Sequence, residues 1–253
     1  MTLDQYRARL AHYRMDPDLQ AAHAAYPWLL TWDDHEVEND YAAEHSENDD
    51  EPAWFLARRA AAYQAYFEHM PLRRAQTPHG PWLRLHLRQD WGRLASVHLL
   101  DDRQYRTQQP CPRAGRAGSN QIQGDCPGRF HPQSTLLGTR QEAWLTASLT
   151  GSDSNWHLLA QQTVMAEVDA APGRAESFFS DGWDGYPLAR RRLLEFIERA
   201  KVNNPVVLGG DAHSFWVNDL RPIFGEPNSA VVASEFVTTS VSSHGPPEER
   251  LRA

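Results

Sequence analysis

Residues 205–213, Pro-Val-Val-Leu-Gly-Gly-Asp-Ala-His, run from a short apolar stretch through two glycines into a carboxylate and an imidazole. The apolar part reads as a buried strand. Gly209 and Gly210 let the chain turn sharply off its end, and an Asp-x-His spacing puts two donor groups on the same side of an extended backbone. A second stretch follows the same plan. Pro27–Trp32 reads as another buried strand and delivers Asp33-Asp34-His35-Glu36, the acidic part of TWDDHEVENDY at residues 31–41. In open α/β sheets, ligands collect outside the carboxyl ends of the strands. Two such ends side by side would pool carboxylates and imidazoles suited to hard or borderline cations. Taken alone, Asp33-Asp34 also fits the start of a helix, where aspartate is a good N-cap.

A third strand end, Leu99-Leu-Asp-Asp-Arg-Gln-Tyr-Arg106, brings positive charge. Arg103 and Arg106 fit a phosphate clamp, because a planar guanidinium matches two oxygens at once. They fit a surface salt-bridge cluster with Asp101 and Asp102 equally well.

Around these ends the chain alternates helix and strand signals. Thr2 and Gln5 form a possible capping box for a first helix, and Asp16-Pro17 opens a second through Ala25. The acidic tract 44–51 reads as a solvated loop. A helix from Pro52, stopped by Pro71, turns Leu56, Ala60, Tyr63, Phe67 and Met70 inward. Residues 82–87 alternate like a strand, and residues 93–100 form another. Thr139 and Glu142 offer a capping box for a helix through Leu149, followed by a strand over 155–160. Residues 173–186 read as a loop with Trp183 and Tyr186 as wall or core. Pro187 opens a helix through Lys201, with Leu194, Ile197 and Ala200 inward, and residues 229–241 hold one or two last strands. This order predicts a single α/β domain over residues 1–253 with a parallel or mixed sheet.

Composition narrows the function classes. A formal net charge of −8 over 253 residues argues against broad phosphate-backbone binding, and no nucleic-acid-binding module is evident. Apolar runs are only a few residues long, so no transmembrane segment is expected, and MTLDQYRARLAHYR lacks the apolar core of a signal peptide. Cys111 and Cys126 flank a polar, Gly-rich loop. A disulfide there would add about 3 kcal/mol, and two free thiols remain an equal reading. His69, His79, His86 and His98 read as surface or satisfied histidines, Glu248-Glu249 as a solvated tail. Ser214 and Ser240 lack the Gly-x-Ser-x-Gly elbow of a serine hydrolase.

In chain order, TWDDHEVENDY, ARRAAAYQAYFEHMPLR, LLDDRQYR, LAQQTVM, DGWDGYP and VVLGGDAHSFWVNDL resemble the PhoD-type alkaline phosphatases, within the calcineurin-like, purple-acid-phosphatase-like metallophosphoesterases. The resemblance covers almost the whole chain. It implies a four-layer α/β/β/α sandwich, incomplete at both ends, with a metal centre at the strand ends. Asp34, Asn39, Asp211 and His213 are the implied metal ligands. His35 would sit by the substrate phosphate, with Arg103 and Arg106 holding its oxygens. The implied cofactors are Ca²⁺ and Fe³⁺. The implied reaction is hydrolysis of a phosphate monoester or diester by a metal-activated water, in a family usually periplasmic or secreted. The family's first metal ligands, on a cysteine-bearing strand and an acidic loop, would precede the present start. A catalytically inactive fragment with residual metal binding or an interaction role is therefore the alternative expectation.

Overall fold

In the computed structural model, which describes residues 1–171 and 176–245, helices and strands alternate along the chain. Helix α1 (Leu3–Tyr13) begins at the expected capping box, with Thr2 and Gln5 each capping the other's backbone. Helix α2 (Pro17–Ala25) is capped by the Asp16 carboxylate, which accepts from the Leu19 N–H. Helix α3 (Pro52–His69) packs on α1, where Arg7 meets the Glu68 carboxylate at 2.7 Å through both Nε and Nη2.

The central sheet has six strands in the order β1 (Leu87–Trp91), β2 (Ala95–Leu99), β4 (Trp156–Ala160), β6 (Pro205–Gly209), β8 (Ala233–Val237), β7 (Trp216–Leu220). Strands β2, β4, β6 and β8 run parallel, and the edge strands β1 and β7 are antiparallel. Helix α4 (Gly138–Thr150) joins β2 to β4, and α5 (Pro187–Ala200) joins β4 to β6. The carboxyl ends of all four parallel strands therefore open on one side. A short ribbon pairs β3 (Gln121–Gln123) with β5 (Ser177–Phe179).

Two clusters fill the interior. One runs beneath the sheet through Leu145 of α4, Leu159 of β4, Leu194 and Ile197 of α5, and Val207 of β6. The other packs Tyr6, Trp32, Tyr41, Phe55, Tyr63 and Tyr66 behind the acidic motif. Strand alternation sends Trp91, Trp156, Leu208, Val217 and Phe236 to the opposite sheet face, where all five are exposed.

The mixed α/β class expected from the sequence is the one observed, with several local differences. Pro27–Trp32 is not a buried strand: it pairs with no strand among the described residues, and Trp28 and Leu29 are exposed. Side chains hold it instead, with Tyr66 Oη donating to Thr31 O and Gln162 Nε2 to Trp32 O. Residues 82–86 alternate in burial but form no ladder. The Gln104 amide bonds both the N–H and the C=O of Leu83 and takes the place of a neighbouring strand. Thr139 does not cap α4. Thr135 Oγ1 accepts from the Gly138 N–H and donates to Glu142.

On α3 the buried stripe is Phe55, Arg59, Ala62, Tyr63, Ala65 and Tyr66, so of the expected set only Tyr63 is fully buried. Ala200 is exposed, and in β6 only Val207 is buried. Residues 229–241 supply one strand, β8, while β7 is an addition to the sequence reading. Within 176–186 the expected loop contains β5 and a 3₁₀ turn over Trp183–Gly185. Glu248 and Glu249 lie outside the described residues. Cys111 and Cys126 form a disulfide, which resolves the two readings of that pair.

Candidate metal centre

The carboxyl end of β6 carries Asp211 in a left-handed backbone conformation, φ 64°. Such a φ is uncommon outside glycine and clusters at functional sites. Gly209 makes the approach possible, because a Cβ there would lie 2.7 Å from Thr163 O. Asp33 and Asp34 arrive from the turn after Trp32. Asp34 O accepts from the N–H groups of Val37 and Glu38, both at 2.8 Å, and Asp33 N–H donates to Glu36 Oε2. One oxygen each of Asp33, Asp34 and Asp211 lies within 4.8 Å of the others.

Each carboxylate is held differently. Asp34 is buried, and its two oxygens accept from His35 N–H and Asp40 N–H, each at 2.8 Å. Burial acts to raise its pKa, but Arg103 and the Asp40 N–H outweigh burial and hold it below the usual value. Burial raises Asp33 despite Arg103. Burial, together with the neighbouring Asp33 charge, pushes Asp211 well above the carboxylate range. Carboxylates crowded in this way favour a bound cation over three separate charges.

Arg103 lies behind this group with no solvent exposure. Its Nε donates to Asp33 Oδ1 at 2.6 Å, its Nη1 meets both Asp181 oxygens, and its Nη2 lies 3.5 Å from Asp211 Oδ1. Arg106 is equally buried and donates to the Tyr41 carbonyl, the Asp181 carbonyl and Asp181 Oδ1. The expected salt-bridge cluster is present but buried and centred on Asp181 and Asp33 rather than on the surface, and the same burial leaves neither guanidinium exposed as a phosphate clamp requires. Arg103 touches the acidic group directly, whereas Arg106 braces Asp181 behind it. Asp102 is fully buried, its Oδ1 has no hydrogen-bond partner, and burial lifts its pKa to about 7.

The other expected site residues lie outside this group. The His35 side chain is 74% exposed, with Nε2 4.0 Å from Asp34 Oδ2. His213 Nδ1 donates to the His244 carbonyl, which leaves Nε2 as the acceptor nitrogen, the arrangement common in ligating histidines. Asn39 is turned to Glu47 through its Nδ2. Neither His213 nor Asn39 belongs to the three-carboxylate group. Ligand-type Asp33 and the buried hub Asp181 are additions to the sequence reading. The adjacent Asp33-Asp34 pair was a visible signal for the first, and two arginines in need of counter-charges were an indirect one for the second. Trp183 and Tyr186 are core, as expected. His98 is buried and bonded to His157 and Ser148.

The PhoD-like phosphatase family matches residues 1–253. The chain belongs to that family. It is 44% identical over 245 residues to alkaline phosphatase D of Bacillus subtilis (strain 168), a match covering 97% of this chain and 41% of the relative. A solved structure titled "Structure of PhoD" superimposes with a TM-score of 0.89 at 43% identity, over 96% of this chain and 45% of that one. This PhoD-like chain thus spans less than half the length of the relatives it matches. No helix among its described residues is long and apolar enough to cross a membrane.

The donor set fits a hard cation. Its candidate ligand atoms are carboxylate oxygens, and calcium prefers oxygen ligands. Both cysteines are tied to each other, so neither offers a thiolate.

Proposed function

We propose that this chain carries the strand-end wall of a metal-dependent phosphate-ester hydrolase of alkaline phosphatase or phosphodiesterase type. The observation that carries the reading is the convergence of Asp33, Asp34 and Asp211 within 4.8 Å, backed by the buried Arg103. Asp34 and Asp211 would hold the cation, joined by Asp33, His213 and Asn39. Ca²⁺ and Fe³⁺ are the proposed ions, and the substrate is proposed to be a small phosphate monoester or diester. A bound cation would supply Lewis acidity, lowering the charge on the transferring phosphoryl group and the pKa of a nearby water.

The remaining work falls to side chains of this chain. Arg103 keeps the mutually repelling carboxylates at fixed spacing, and its Nη2 faces Asp211 at the crevice. His35, exposed beside Asp34, is free to hold a phosphate oxygen or deliver a proton to the leaving oxygen. Arg106 acts at one remove by fixing Asp181. The Cys111–Cys126 disulfide supports an exported, oxidising setting.

A second reading, cation binding without turnover, draws on the ligand count. Calcium takes about six to eight oxygen ligands, and three carboxylates converge here among the described residues. Hydrolysis of p-nitrophenyl phosphate and bis-p-nitrophenyl phosphate at alkaline pH, with Ca²⁺ and Fe³⁺, separates the two. Turnover that disappears in Asp211→Ala supports the hydrolase. Equal turnover in both proteins removes the crevice from the account, and no turnover in either leaves the binding reading.

A further inference from the structure

Beside the acidic group, and sharing Asp211 with it, lies a cavity of about 310 Å³. Its walls come from segments that leave the same end of the sheet. Val164 and Val168 follow β4, Phe179 ends β5, Trp183 sits in the 3₁₀ turn, and Trp216 opens β7. Two larger cavities, of about 460 and 490 Å³, lie along α4, and neither touches Asp33, Asp34 or Asp211.

The polar atoms around this cavity are already engaged. Trp183 Nε1 donates to Gln161 Oε1 at 3.2 Å, and Trp216 Nε1 donates to Ser214 Oγ at 2.8 Å. The indoles therefore have no unmet donor to offer a ligand. Asp184, also in the lining, is bonded to Arg190 Nη1 at 2.6 Å and to the Val168 N–H at 3.0 Å. Phe179 keeps 45% of its surface exposed, apolar area that an occupant would cover. What remains is an apolar recess whose one under-partnered polar corner is Asp211, where the cation would sit. Its volume is at the small end of ligand pockets, about 300–1,000 Å³.

Resting on the hydrolase reading above, we propose that this recess is a subsite for a compact apolar group, an aryl ring or short alkyl chain, esterified to the phosphate held at the crevice. The preferred substrates would then be phosphoesters with an apolar organic group next to phosphorus.

The test compares methylphosphonate with benzylphosphonate, which cannot be hydrolysed, by calorimetric titration of the whole chain in calcium-containing buffer. Benzylphosphonate is expected to bind about tenfold or more tightly, because a buried ring removes substantial apolar surface from water. Phe179→Ala, which takes away a wall, and Ala170→Trp, which fills the recess from an exposed position lining it, should each bring the ratio toward one. Equal affinities in the unaltered chain, binding of neither phosphonate, or a ratio unmoved in both variants would overturn the subsite. Hydrolysis of 4-nitrophenyl methyl phosphate is followed in parallel. Its absence counts against the hydrolase reading, whereas the phosphonate affinities decide the subsite.

Discussion

Arg103 and Asp181 form a closed ion pair at the heart of the molecule, with Nη1 at 2.8 and 2.7 Å from the two carboxylate oxygens and both side chains free of solvent. Arg106 Nη2 and Gln109 Nε2 each reach Asp181 Oδ1 at 2.7 Å, so one carboxylate anchors two buried guanidiniums. Removing one partner of a buried pair leaves an uncompensated charge, at a cost of about 3–5 kcal/mol. Asp181→Asn should lower stability by that order, read as the shift in the urea unfolding midpoint. A change of a few tenths would remove Asp181 from its place as the anchor.

Arg103 is also the cation nearest the candidate metal ligands. In Arg103→Gln, Asp33, Asp34, Asp181 and Asp211 would face one another without it. The variant should lose about 3 kcal/mol in calcium-free buffer, and added calcium should raise its melting temperature more than that of the unaltered chain. Equal calcium responses would mean that Arg103 and the cation do not share the same carboxylates.

What the sequence revealed follows the range of the interactions involved. The caps of α1 and α2 are set by residues three apart, Thr2 with Gln5 and Asp16 with Leu19, and both were legible. The meeting of Asp34 with Asp211 was legible because each follows an apolar stretch that ends in a turn. Asp181 was not, since its partners Arg103 and Arg106 lie 78 and 75 residues away. Pro27–Trp32 has the composition of a strand, but a strand also needs a paired neighbour, and here Gln162, 130 residues away, bonds the Trp32 carbonyl instead. Residues 82–86 were misread for the same reason, through Gln104.

His98 and His157 meet beneath the sheet, with Nε2 and Nδ1 3.3 Å apart. Burial, aided by His157 and Arg88, lowers the His98 pKa from 6.5 to about 4. The folded value lies below the unfolded one, so the unfolded chain binds the additional proton between these limits. Stability from this group is therefore full above pH 6.5 and falls as the pH drops toward 4, by about 3 kcal/mol at most. His98→Gln should flatten the fall in unfolding free energy across that window relative to the unaltered chain. An unchanged slope would show that His98 does not contribute to it.

Gly185 closes the 3₁₀ turn against Ser180, whose carbonyl oxygen occupies the place a Cβ would take. Gly185→Ala must push the turn away from Ser180 and should cost about 1–3 kcal/mol. Trp183 sits on the same turn, so its near-ultraviolet circular dichroism should change with it. A variant as stable as the parent would show that the turn relaxes freely.

The central claim is that Asp33, Asp34 and Asp211 together hold a cation. Calorimetric titration of the metal-free chain with Ca²⁺, beside Asp34→Asn and Asp211→Asn, tests it most directly. The account predicts saturable binding in the unaltered chain, weakened at least about tenfold in each variant by loss of a charged oxygen ligand. Calcium affinity that is the same in all three proteins would contradict it.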